Sequence, residues 1–185
     1  TGFQGVPVLF SWPSRGVATD YGYDRDSATF SRDKFEALLT LLGNEKSVAS
    51  VEIFDHSMGN WVTLETLRQA SIAKNKAATA KLARVILAAP DVDMDVFRTQ
   101  IGRMGPLSSR FVLYASSDDK ALRLSQLLFG GQTRAGENTN VDEFKRLGIE
   151  AHDLSSVPGA LGKNHGKAFN DASTIQGIGT ILNDS

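Results

Sequence analysis

VEIFDHSMGNW, Val51 to Trp61, is an apolar, β-branched run that breaks at Asp55-His56-Ser57-Met58-Gly59 and resumes as a helical pattern carrying Val62, Leu64 and Leu67. The change of spacing predicts a strand, a sharp turn and a helix. A serine on such a turn stands above the end of the sheet and at a helix N-terminus, the arrangement of a nucleophile elbow. The usual pattern is Gly-x-Ser-x-Gly. Gly59 supplies the second glycine, which lets the helix backbone pass close to the strand, whereas Asp55 stands where the first should be. The plainer reading of Ser57 is a helix N-cap, a position serine favours. A cap, however, calls for neither a preceding buried strand nor a glycine two residues later.

Outward from this stretch, strand candidates recur at Val6 to Phe10, Ser50 to Phe54, Arg84 to Ala89, Arg110 to Ala115 and Ile149 to Leu154, with helical patterns between them. That alternation predicts an α/β fold, a mostly parallel sheet flanked by helices, in one domain over residues 1–185. In the first helix Ser31 reads as N-cap, with Asp33 in the first turn, an apolar face at Phe35, Leu38, Leu39 and Leu42, and Gly43 as the stop. The helix after the elbow gives way to Ala73 to Lys81, read as a solvated helix end and loop. Shorter helices are expected at Met94 to Ile101, Lys120 to Leu128, Val141 to Leu147 and Ala172 to Leu182. Gly130 to Asn140, GGQTRAGENTN, reads as a mobile loop. Ser155 to Gly166 reads as a loop carrying a histidine near its end. Loops at the carboxyl edge of a parallel sheet are where sites are built.

Composition narrows the function. A chain of 185 residues with 41% hydrophobic content can bury roughly 70% of its unfolded surface. Its 20 basic and 21 acidic residues leave a charge of -1 and no basic cluster interleaved with aromatics, so nucleic acid is not an expected partner. The absence of cysteine and the presence of only three histidines argue against a thiolate or histidine metal site, and no cofactor is implied. No apolar run approaches the roughly 20 residues that span a bilayer. Thr1 to Gly5 lacks a charged-then-apolar leader.

A serine hydroxyl is a poor nucleophile until a base accepts its proton, and a histidine base needs a carboxylate to fix its tautomer. Folds that carry the elbow on a parallel sheet supply these in the order serine, acid, histidine, from loops after later strands. The strand RFVLYA is followed by Ser116 to Leu122, which holds Asp118 and Asp119, and IEAHDL is followed by the loop holding His165. Either aspartate also suits the N-cap of the helix near Lys120. Asp119 is the preferred acid, since a tight turn points only one of the two at the histidine. Asp91 and Asp93 are further acid candidates, though caps for the Met94 helix explain them as well. His152 lies inside a predicted strand. His56 adjoins the serine and cannot fold back to serve it. The Met58 N–H is placed to meet an oxyanion, and no His-Gly motif upstream of Ser57 supplies a second donor.

FSWPSRG (Phe10 to Gly16), Tyr21 to Phe35, HSMGNW (His56 to Trp61), VILAAPDVDMDVF (Val85 to Phe97) and YASSDDKALRLS (Tyr114 to Ser125) together resemble a bacterial, esterase-like branch of the α/β-hydrolase superfamily. The resemblance covers nearly the whole chain and implies an α/β-hydrolase fold. It places the acid on Asp119, through the Ser-x-x-Asp-x-Ala-Leu pattern. It also implies a Val-His-Gly-Tyr-Asn type motif ahead of Val6, so the chain is expected to lack the family's first strands and the second oxyanion donor. The resulting expectation is a serine hydrolase of esters or related acyl compounds, with Ser57, His165 and Asp119 as its triad. The alternative is a non-catalytic scaffold that binds a ligand or protein. Trp12, Tyr21, Tyr23, Trp61 and Phe97 are candidates for an acyl pocket, or for core.

Overall fold

Four strands, β1 (Val51–His56), β2 (Leu82–Ala88), β3 (Phe111–Ala115) and β4 (Glu150–Asp153), lie side by side in chain order, and every neighbouring pair is parallel. The structure, a computed structural model, describes residues 2–131, 133–159 and 164–183, and only the backbone of Ala18. Parallel neighbours need crossovers, and these are helical: α2 (Gly59–Ile72) and α3 (Lys76–Ala80), then α4 (Met94–Met104), then α5 (Lys120–Phe129) and α6 (Val141–Arg146). A long α1 (Tyr21–Asn44) precedes β1, and α7 (Lys167–Asn170) and α8 (Ala172–Asn183) follow β4. The α/β expectation holds.

The strands divide their side chains between two cores by simple alternation. Ile53, Val85, Leu87, Phe111 and Leu113 face a layer built from α1, α2, α3, α4 and α6, where Leu39, Leu64, Leu67, Phe97 and Phe144 are buried. Ile86, Ala88, Val112 and Tyr114 face the opposite layer with Ala168 and Ile178. Because β2 and β3 are covered on both faces, they read as continuous apolar runs rather than alternating ones. Each fully buried Leu or Phe contributes roughly 1.5–3 kcal/mol of transfer free energy. On β1 the same alternation turns Asp55 toward α2, with Ile53, and turns Phe54 and His56 toward α7, where both rings meet Phe169.

The structure corrects several expectations. Val6 to Phe10 forms no strand. Pro7 has no N–H to give a ladder, and no described strand lies alongside to take the remaining backbone bonds. Val6, Val8 and Leu9 are 86, 64 and 92% exposed. Ser31 is no N-cap: α1 begins ten residues earlier, and the Ser31 hydroxyl donates back to the Ser27 carbonyl at 2.8 Å, the mid-helix habit of serine. Nor does Gly43 stop this helix, which runs on to Asn44. The Ala/Lys-rich stretch contains α3, capped by the Asn75 side chain and anchored by buried Ala78.

Gly130 to Asn140 is likewise no free loop. Outside Gln132, which is not described, it is a strap laid across the carboxyl ends of β2 and β3. Ala135 and Gly136 donate to the Val92 and Pro90 carbonyls at 2.8 and 2.9 Å, and the Gly136 carbonyl accepts from Ser116 N–H at 2.8 Å. Only glycine fits there, since a Cβ at residue 136 would meet Ala89 at 2.6 Å and Leu122 at 2.7 Å. The middle of the Ser155 to Gly166 loop, residues 160–163, lies outside the described residues.

Candidate active site

Ser57 closes β1 with φ at +54°, a left-handed conformation that costs a non-glycine residue of order 1–3 kcal/mol. Neighbouring bonds hold it there. Its N–H extends the parallel ladder to Ala88 O at 3.0 Å, and its carbonyl accepts from Asn60 N–H, Asn60 Nδ2 and Asp91 N–H at 3.2, 2.9 and 3.3 Å. The fully buried Asn60 amide also donates to Ala88 O at 3.1 Å, tying the first turn of α2 to β2. Sequence reasoning misses Asn60, because nothing about an asparagine after a glycine shows which carbonyls it will meet. Met58 occupies the N-cap of α2, where a backbone N–H has no acceptor within the helix. A Cβ on Gly59 would find only ordinary contacts, 3.5 Å from Asp55 Oδ1 and 3.7 Å from Trp12. The close approach expected at Gly59 is therefore not what demands a glycine.

Asp119 and His165 meet although 46 positions separate them: His165 Nδ1–H donates to Asp119 Oδ2 at 2.7 Å. Asp119 is wholly buried, whereas the His165 side chain is 25% exposed. The same carboxylate caps α5, its Oδ1 accepting from Ala121 N–H and Leu122 N–H at 3.0 and 3.2 Å. One oxygen thus fixes the carboxylate on the helix and the other orients the imidazole. With Nδ1 as donor, Nε2 carries the lone pair, the tautomer a general base requires. The Ser57 hydroxyl makes no hydrogen bond to this ring.

The other acid candidates have different partners. Asp118 pairs with Lys167 at 2.7 Å. Asp93 caps α4 through Asp95 N–H and Val96 N–H. Asp91 is buried against the strap, accepting from Ser125 at 2.9 Å and Tyr21 at 2.7 Å and pairing with Arg134 at 3.3 Å. Burial and the neighbouring Asp91 carboxylate push the Tyr21 phenol up to about 12.

His56 Nε2–H donates to the His165 carbonyl at 2.8 Å, and the two rings lie 4.5 Å apart. Burial lowers the pKa of His56, so the ring is a neutral prop for the histidine loop. His152 stacks on Tyr114 and bonds Glu150, away from the pair. Among the aromatics, Phe97 is core, Trp61 donates to Thr29 and lies under Arg25, Tyr21 stacks on Phe129, Tyr23 lies under Arg15, and Trp12 packs against the first core. An open groove of about 480 Å³ between Met94, Arg98 and the strap involves none of Ser57, Asp119 and His165. Among the described residues no cluster of three or more His, Asp or Glu could hold a metal ion, and no helix is long and apolar enough to cross a membrane.

A family model described as alpha/beta hydrolase of unknown function, DUF900, matches residues 1–181. The chain belongs to that family. Its membership agrees with the resemblance carried by the five sequence motifs and with the parallel sheet, and it makes hydrolysis the class of reaction to consider for this α/β-hydrolase. Comparison with curated proteins and with solved structures gives no match.

Proposed function

We propose that this α/β-hydrolase is a serine hydrolase that cleaves carboxylic esters or related small acyl compounds through an acyl-enzyme. Ser57 Oγ attacks the acyl carbon while its proton passes to His165 Nε2, and Asp119 holds the imidazole in the accepting tautomer. The oxyanion that forms is met by the Met58 N–H at the start of α2. Collapse expels the alcohol, which takes the proton from His165. Water then attacks the acyl-serine with His165 again as base, releasing the acid and restoring Ser57. The observation that carries the reading is the 2.7 Å bond from His165 Nδ1–H to a buried, helix-capping aspartate. A strained serine at the end of β1 adds to it.

The second reading, a binding scaffold without turnover, draws on the missing hydrogen bond between Ser57 and His165. Catalytic hydrogen bonds are often long before substrate arrives and tighten only in the complex. A fluorophosphonate probe and a series of p-nitrophenyl esters of graded chain length separate the two. Labelling at Ser57, with turnover that drops by on the order of 10⁴ to 10⁶ in Ser57→Ala, is the expected result. Labelling or hydrolysis that survives Ser57→Ala would remove the assignment.

A further inference from the structure

We propose that Asp118 is a positioning residue for His165, acting through Asn164 and Lys167, so that two consecutive aspartates divide the control of one imidazole. The inference rests on the hydrolase reading of this site. Asp119 touches the ring, and Asp118 holds residues on both sides of it in the chain. Its Oδ2 accepts from Asn164 Nδ2 at 2.8 Å, and the same amide reaches the Asp118 carbonyl at 3.2 Å. Its two carboxylate oxygens accept from Lys167 Nζ at 2.7 and 2.9 Å. The position before His165 and the position two after it are therefore both fastened to the residue before Asp119.

Lys167 extends the clasp. Its side chain is only 2% exposed, and besides Asp118 its ammonium faces the Ser116 hydroxyl at 3.1 Å and the Leu154 and Ser155 carbonyls at 3.0 and 3.2 Å. The acid loop, the end of β4 and the histidine loop converge on one nitrogen. The Lys167 ammonium is buried but the Asp118 side chain is 43% exposed, so solvent screens the pair and it is weak evidence for stability. The best-attested use of a paired buried charge is to specify register. Here the register specified is that of the base loop against the acid loop. Opposing the cost of burial, the Lys167 and Ser116 hydrogen bonds hold the Asp118 carboxyl below the usual carboxylate range.

The geometry makes the need plain. A ring held by a single hydrogen bond can pivot about it, and an error of about 1 Å in a reacting group can cost 10²-fold. The clasp and the His56 bond together pin the backbone from which the ring extends.

The test compares Asp118→Asn, Asn164→Ala and Lys167→Met with the unaltered protein, reading kcat and KM on a p-nitrophenyl ester and the far-downfield proton resonance of His165 Nδ1–H. Expected is a roughly ten- to hundredfold fall in kcat with KM unchanged, accompanied by broadening or loss of that resonance although Asp119 and Ser57 are intact. Should Lys167→Met fail to fold, Asn164→Ala removes no charge and reads the same link. Unchanged kcat and an undiminished resonance in folded Asp118→Asn and Asn164→Ala would overturn the proposal, as would a fall in kcat with the resonance untouched. If the unaltered protein turns over no ester while its resonance disappears in Asp118→Asn, the positioning role stands and the hydrolase reading falls.

Discussion

Replacing Asp55 by asparagine probes how the elbow accommodates a carboxylate where the usual pattern has glycine. Asp55 points from β1 toward α2, with Oδ1 beside Gly59 and Oδ2 buried without a hydrogen-bond partner. Burial pushes its pKa from 3.8 to about 7, opposed only by the Thr63 hydroxyl. Because the folded chain keeps a proton that the unfolded chain releases, this group's contribution is complete below about pH 4. It declines by about 1.4 kcal/mol per pH unit as pH rises toward 7, and is flat above that. Over the whole window the loss is about 4 kcal/mol, and between pH 5 and pH 8 it is about 3 kcal/mol. Asparagine has the same shape and does not titrate, so the stability gap between variant and parent isolates this one group. With a urea dependence of about 2 kcal/mol per M, the gap in unfolding midpoint should widen by about 1.5 M in favour of Asp55→Asn from pH 5 to pH 8. Urea titrations followed by tryptophan fluorescence at four pH values across that range measure it. Midpoints that stay parallel would refute the claim that the carboxyl is buried and uncompensated.

Asp119→Asn keeps a good α5 cap but gives the imidazole a poor partner, so ester turnover should fall by about 10⁴ while the urea midpoint barely moves. Asp119→Ala should lose the same activity and about 1 kcal/mol of stability besides, for want of the cap. Gly136→Ala forces a Cβ against Ala89 and Leu122 and should cost about 1–3 kcal/mol in thermal unfolding. Gly59→Ala, with only ordinary contacts waiting for its methyl, should gain up to about 1 kcal/mol by the same measurement. Arg134→Met leaves the buried Asp91 without its cation and should lower stability by about 3 kcal/mol, read as a drop in Tm.

The apolar runs by themselves determined β1 to β4 to within two residues and the serine at the end of β1, because strand period and turn chemistry are local properties of the chain. The loops that hold Asp119 and His165 were legible from chain order for the same reason, each following a recognisable strand. What only the tertiary structure decided is which groups meet. Asp119 reaches His165 over 46 positions, and His56 reaches the His165 carbonyl over 109. No spacing rule shows that one aspartate would cap α5 and orient the imidazole at once while its neighbour took Lys167. Ser31 looked like a cap and became a mid-helix residue because α1 runs from Tyr21 to Asn44 and packs against both α2 and α3. Gly130 to Asn140 looked like a mobile loop, yet its described residues form a strap because Ala135 and Gly136 bond the Val92 and Pro90 carbonyls and Asp91 offers Arg134 a buried charge partner. A polar or glycine-rich segment is placed by its partners, and those partners lie far along the chain.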